Sequence, residues 1–339
     1  LLIILSKWPQ MGKPIFERLF SKKRSFLILK FLDEKTSIRE DLSIFGKLQI
    51  GVFLKALCYW FFNKLKPSIV AILFIVSIFL FENNSSSIFL TDFQLGLLSF
   101  GLLLVGIPHG ALDHLTETIS KKKKITFSFI SKYLLLMVPI FFLWYYQPLL
   151  GLVFFLIYSA WHFGQTDMNY WKIKSNWLSM FWGVSLLGYM LFSHLDEFIV
   201  IVQYLGVNFS DNSFPVLIFS KILLLSSFLI AFFKRKLNWM LWCVFLLLST
   251  KISLLLTFGI YFIFHHSRIG WMDLKANLKT SHFNMFVKAI PFNVGAVAIY
   301  FLFFVKGGFS LQQNISYFFI FLSCISFPHI ICMSLFYKK

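Results

Sequence analysis

From residue 68 onward the chain is a succession of long apolar runs broken by short polar segments. The runs fall at about 68–82, 93–113, 133–147, 148–165, 177–193, 214–233, 237–250, 252–266, 284–304 and 314–335. A spanning helix takes up roughly 20 residues, so several runs are short for the task. The pattern predicts an all-α, polytopic membrane bundle of about ten spans, eight at the lower count. The runs that meet at Gln147–Pro148 and at Lys251 read as hairpins or broken helices, because Pro148 ends one helix and starts the next. Residues 1–67 are different in texture, basic and of mixed polarity. Within them 51–63 (GVFLKALCYWFFN) is apolar but short and flanked by Lys47, Lys64 and Lys66, which suits a helix lying in the membrane interface. The expected organisation is therefore a basic extension over 1–67 and a transmembrane domain over 68–339.

The breaks between the runs alternate in charge. Residues 1–67 are basic, 83–92 carry no Lys or Arg, and 120–132 carry Lys121 to Lys124 and Lys132. The alternation continues with Lys172 and Lys174 in 166–176, none in 194–213, Lys234 to Lys236 after the sixth run, and Arg268, Lys275 and Lys279 in 267–283. Lys251 and Lys306 are lone exceptions. Positive loops stay on the cytoplasmic side, so both termini are expected there, in the inner (cytoplasmic) membrane of a cell. No signal peptide is expected in the first 67 residues, which lack a clean apolar core followed by a small-residue cleavage site.

Composition agrees with this reading. The chain is 58% hydrophobic and only 14% charged, with 46 Phe among 339 residues, far from the balance of a soluble domain. The net charge of +18 would suit nucleic acid. However, 13 of the 32 basic residues lie in the first 67 positions and most others sit in short loops, with no binding motif beside them, so nucleic acid is excluded as a partner. Cys58, Cys243, Cys324 and Cys332 form no CxxC and lie in apolar surroundings, as structural thiols do.

Against this apolar background the histidines stand out. His109, His162, His266 and His329 fall on even-numbered runs, which head toward basic loops. They precede Lys121, Lys172, Lys275 and Lys338 by 12, 10, 9 and 9 residues. At roughly 1.5 Å of rise per residue, helical paths bring the four within about 5 Å of one depth. Neutral imidazoles gathered in one layer make a metal site, and ionisable groups inside a bilayer are costly and functional. His109 lies in 106–114 (GIPHGALDH), whose Pro and Gly flanks predict a broken helix lining a cavity. Asp113, four residues on, shares its helical face and is expected to orient it. His162 repeats the theme of a His followed by Gly and then Asp, with Gly164 and Asp167 after it. His265 and His266 point about 100° apart, so one of them faces the metal, with His265 the substitute. His329 follows Pro328 as His109 follows Pro108. His114 lies nearer the surface, and His194 and His282 lie in loops, away from the site. No HExxH, P-loop or GxSxG is present, and the close histidine pairs are too few for a di-iron desaturase.

The segments GIPHGALDH, WYYQPLLGLVFFLIYSAWHFG running into HFGQTD, TFGIYFIFHHSR and the terminal FPHI occur in this order over about 90–335. They resemble the Brp/Blh family of membrane β-carotene 15,15′-dioxygenases. The resemblance implies a non-haem Fe(II) enzyme that splits the central double bond of β-carotene with O2 into two retinal molecules, a product for a rhodopsin. It implies that His109, His162 and His266 are three of four iron ligands. The fourth family position falls on Gly270, a departure that His329 is placed to make good, with His265 in reserve and three His plus water as a further option. Asp113 and Asp167 would fix the imidazoles, and Tyr261 would donate a hydrogen bond near the site. Two other readings remain: an iron oxygenase or desaturase acting on another lipid, and a non-catalytic carotenoid- or retinal-binding membrane protein.

Overall fold

A computed structural model describes residues 67–82, 101, 105–116, 127–208, 214–303 and 310–337, and every described element is helical. The basic extension, and most of the run at 93–113, lie outside the described residues. The chain divides into a unit over Leu1–Leu57 and a unit over Cys58–Lys339, and all described residues belong to the second.

The elements, in chain order, are α1 (Pro67–Glu82), α2 (Ile107–Ala111), α3 (Phe127–Tyr146), α4 (Pro148–Tyr170), α5 (Asn176–Phe192), α6 (Leu195–Gln203) and α7 (Phe214–Phe233). They continue with α8 (Leu237–Ser249), α9 (Leu254–Tyr261), a π-helical turn (Phe262–Ser267), α10 (Arg268–Leu278), α11 (His282–Phe303) and α12 (Leu311–Tyr337). Among the described residues α3, α4, α7, α11 and α12 are long and apolar enough to cross a membrane. A sixth crossing arises if α5 and α6, bent by 88° at their junction, count as one. α1 and α8 are apolar but shorter.

Local sequence accounts for the breaks. Pro148 occupies the first turn of α4, where its missing N–H costs nothing, so α3 stops at Tyr146 as expected. Ser175 caps α5 by accepting from the Leu178 N–H, and Ser253 caps α9 by accepting from that of Leu256. Two segments expected as loops are helices instead. In 194–213, α6 places Asp196 and Glu197 in its first turn, favourable at the positive end of the helix dipole, and buries Phe198 and Val202. Glu197 also accepts from the backbone N–H of Leu254, tying α6 to the start of α9. In 267–283, α10 continues the π turn and buries Trp271 and Leu274. His194, read from the sequence as a loop bystander, is buried, its Nε2 3.0 and 2.9 Å from the carbonyls of Ser249 and Ile252.

The tightest contact in the bundle joins α4 to α5. A Cβ on Gly164 would fall on the backbone carbonyl of Ser179, and one on Gly183 on that of Ala160. Paired glycines let helix backbones touch where lipid supplies no hydrophobic drive between helices. Beside this contact Trp171, Trp182, Trp239 and Trp242 form a buried indole core, Trp171 and Trp239 stacked at 5.3 Å. The outer faces carry exposed Phe and Leu side chains, Phe233 and Leu302 each 78% exposed, as lipid-facing helices do.

Candidate metal centre

His109 sits in the short α2, with Gly106 at the N-cap and Pro108 in the first turn. The ring's Nδ1 hydrogen-bonds the Gly106 carbonyl, leaving Nε2 to point elsewhere. α2 ends at Ala111 and the backbone turns at Leu112, so this is the broken helix that the Pro and Gly flanks foretold. That turn also removes Asp113 from the His109 face. Asp113 does not touch His109. Its two oxygens lie 2.8 and 3.0 Å from Nδ1 of His329, and the Tyr133 hydroxyl donates to Oδ2 at 2.9 Å.

His162 projects from α4, and His329 from α12 after Pro328. His266 comes from the π turn, whose extra residue per turn is rare and recurs at functional sites. The turn sends two adjacent imidazoles apart: His266 toward His109 and His162, His265 toward Asp167.

The four side chains converge. Ligand atoms of His109, His266 and His329 lie within 4.8 Å of one another. The ring of His162 joins them, its centroid 4.8 Å from that of His266 and 5.1 Å from that of His329. All four residues are buried. Their facing nitrogens, Nε2 of His109 and His329, both nitrogens of His162 and Nδ1 of His266, have no hydrogen-bond partner. Buried polar atoms are nearly always satisfied, and an orphaned cluster needs an explanation. A divalent ion held by imidazoles supplies one, because it takes one nitrogen from each of the four rings at once. The residues present therefore fit a metal: this buried three-histidine group, with His162 beside it, could hold one.

Asp167 serves a different neighbourhood from the one expected. Five residues beyond His162, it lies about 140° around α4. There it is fully buried, accepts from Trp182 Nε1 at 2.6 Å and from the Tyr261 hydroxyl at 3.0 Å, and lies 3.1 Å from His265 Nε2. Tyr261 thus donates to Asp167 rather than toward the cluster, and His265 turns its back on it. His114 hydrogen-bonds the Ala111 carbonyl and stacks on Phe292 at 4.2 Å, and His282 accepts from Trp271 Nε1 at 3.0 Å. Gly270 lies against His109: a Cβ there would come within 3.3 Å of the imidazole Cδ2.

The cluster forms the polar floor of a cavity of about 330 Å³. Its walls are otherwise mainly apolar, with Phe155 and Phe163 from α4, Phe258 and Phe262 before His266, and Leu322 and Ile325 from α12, while Asp113, His114, Tyr133, Ser159 and Ser326 add polar points. A pocket with a few convergent polar groups in an apolar lining is the usual form of a ligand site.

A family model described as Beta-carotene 15,15'-dioxygenase matches residues 100–337. The chain belongs to this dioxygenase family. A curated relative of the same description, from Uncultured marine bacterium 66A03, is 38% identical over 80 residues, which cover 22% of this chain and 29% of the relative. No solved structure matches the chain. The dioxygenase family match covers α2 to α12, so all four clustered histidines fall inside it, whereas α1 precedes it.

Proposed function

We propose that this chain is a membrane β-carotene 15,15′-dioxygenase, with Fe(II) held by His109, His162, His266 and His329. The observation that carries the reading is the buried convergence of four imidazoles with stranded nitrogens beneath an apolar cavity. The family match and the curated relative support the substrate and the reaction class. In the balanced reaction the central double bond of β-carotene breaks, each of its carbons takes one oxygen atom of O2, and two retinal molecules leave.

Iron, when bound, supplies the activation of O2. The chain's own residues do the rest. Asp113 fixes the tautomer and orientation of His329 by occupying its Nδ1, Tyr133 steadies that carboxylate by donating to it, and the Gly106 carbonyl holds Nδ1 of His109 in the same way. Both then present Nε2 to one point. Phe155, Phe163 and Phe262 wall the space above that point, exclude water and hold an apolar polyene across it. Asp167 acts at one remove, steadying the π turn that carries His266 through His265 and Tyr261. The positive loops support cytoplasmic termini, about ten spans and an inner-membrane location, with residues 1–67 a separate basic extension. Retinal released into the bilayer is then available to a rhodopsin.

The test is expression in cells that accumulate β-carotene. Colour is expected to bleach with retinal formed, and purified protein is expected to carry iron. Persistent colour with folded, iron-supplied protein rejects the reading. His109→Ala is expected to lower turnover by at least about 100-fold, since a lost ligand costs no less than the 10–100-fold typical of an outer-shell partner. The alternative of carotenoid or retinal binding without turnover draws on Gly270, which stands where the resemblance places a fourth ligand. It predicts bound polyene without O2 consumption. An oxygenase of another lipid would show in a product screen.

A further inference from the structure

The cavity above the histidines has two outer walls of unusual position. From α3 come Ile130, Leu134 and Met137, and from α11 come Pro291, Gly295 and Ile299. Each set repeats at three or four residues and so forms one face of its helix. Only 11% of the apolar window of either helix is buried, against 56% for α4. The main packing of α3 is on α4 and α12, and that of α11 is on α2. Of the span-length helices described, these two members of the cavity wall are thus the least buried.

The rim itself is exposed. Leu134 on α3 is 44% exposed, and Pro291 on α11 is exposed too. Apolar residues face outward beside it: Leu135 and Val138 on one helix, Ile290 and Val294 on the other. A mouth set in such a surface faces hydrocarbon, since soluble surfaces rarely expose so continuous an apolar patch. Lys132 stands two residues before Leu134, and Lys288 three before Pro291, both exposed. Lysines in the first turns of a span reach for the headgroups, so the mouth lies just inside the acyl region.

Gly295 is the narrowest statement of the site. It lines the cavity, yet a Cβ built on it meets nothing within 4 Å. Helix packing therefore does not require glycine here, unlike at Gly164 and Gly183. The space in front of it belongs to whatever enters.

We infer that the gap between α3 and α11 is a lateral portal through which a long apolar polyene passes from the bilayer to the histidine cluster, with Gly295 setting its width. The inference rests on the function proposed above for what happens at the cluster, but it is a claim about capture and not about turnover. The full chain is reconstituted in phosphatidylcholine vesicles and offered β-carotene from donor vesicles of the same lipid. Capture is read by quenching of tryptophan fluorescence and by carotenoid co-purifying with the protein. Integrity of the cluster is read from the absorption of added Co(II).

Wild type captures β-carotene. Gly295→Trp captures it at least about tenfold more slowly with an unchanged Co(II) spectrum, and Gly295→Leu falls between them. Val294→Trp, one residue away and 63% exposed on the outer face, behaves as wild type. Should Gly295→Trp fail to load Co(II), Gly295→Leu decides. Capture by the Gly295 variants at the wild-type rate overturns the portal, as does an equal defect in Val294→Trp or no capture by wild type. A wild type that captures β-carotene but forms no retinal with iron and O2 removes the enzyme reading and leaves the portal standing.

Discussion

At the scale of single residues the centre depends on which nitrogen each imidazole offers. His329 is the clearest case, because Asp113 from another segment fills its Nδ1 side and is itself held by the Tyr133 hydroxyl. Asp113→Asn keeps the shape and removes the charge, and its amide nitrogen can no longer accept from His329. Turnover is expected to fall about 10–100-fold, with iron occupancy at limiting iron falling in step. Full occupancy with wild-type turnover would place Asp113 outside the working of the site. The four histidines are legible through depth: a similar spacing to the next basic loop, 9 to 12 residues, needs no knowledge of the fold. It could not reveal the Asp113 pairing, since His329 lies 216 residues away and the helix breaks at Leu112 between His109 and Asp113. Asp167 was misread for a related reason. Proximity to His162 in the chain suggested partnership, but five residues of helix carry the carboxylate round to Trp182, Tyr261 and His265.

At the scale of elements the four clustered histidines come from four separate pieces of chain, so their spacing is a property of helix packing. The contact of α4 with α5 is the least forgiving, both helices approaching through glycine. Gly183 is on α5, which carries no ligand. Gly183→Ala would drive a methyl group into the Ala160 carbonyl and push α4, with His162, out of register. A destabilisation on the order of 1–3 kcal/mol is expected from such overpacking, seen as a lower unfolding temperature together with weaker Co(II) binding. An unchanged melting temperature would mean that the two helices can separate without strain. The hydrophobic pattern anticipated α3, α4, α5, α7, α11 and α12 closely, because long apolar runs leave one choice of structure in lipid. It failed at α6 and α10, whose mixed polarity looked like loop until burial of Phe198, Val202, Trp271 and Leu274 fixed them as helices. The π turn had no signature beyond the doubled histidine; helical spacing alone parts His265 from His266, and packing adds where each goes, His266 to the other imidazoles and His265 to Asp167.

At the scale of the whole molecule the question is how the last helix is held, since α12 brings His329 to the cluster and then ends the described chain. Near its end Tyr337 donates to Asp273 Oδ2 of α10 at 3.1 Å. Burial pushes the Asp273 carboxyl up from 3.8 to about 6, the Tyr337 hydrogen bond offsetting part of that rise. The folded state thus prefers the neutral acid more strongly than the unfolded chain does. The stability this group contributes is fully present below about pH 3.8 and is lost as pH rises through about 6. Raising pH from about 5 to about 7 should therefore lower the melting temperature in detergent, on the order of 2–4 °C. Asp273→Asn, which cannot ionise, should flatten that dependence while leaving the Co(II) spectrum of the cluster unchanged at pH 7. A wild-type slope that survives in Asp273→Asn would assign the titration to another group and remove this contact from the account of how α12 is anchored. A slope that vanishes along with the Co(II) spectrum would instead show that the α10–α12 tie reaches the histidines, making the far end of the last helix part of the machinery that positions His329.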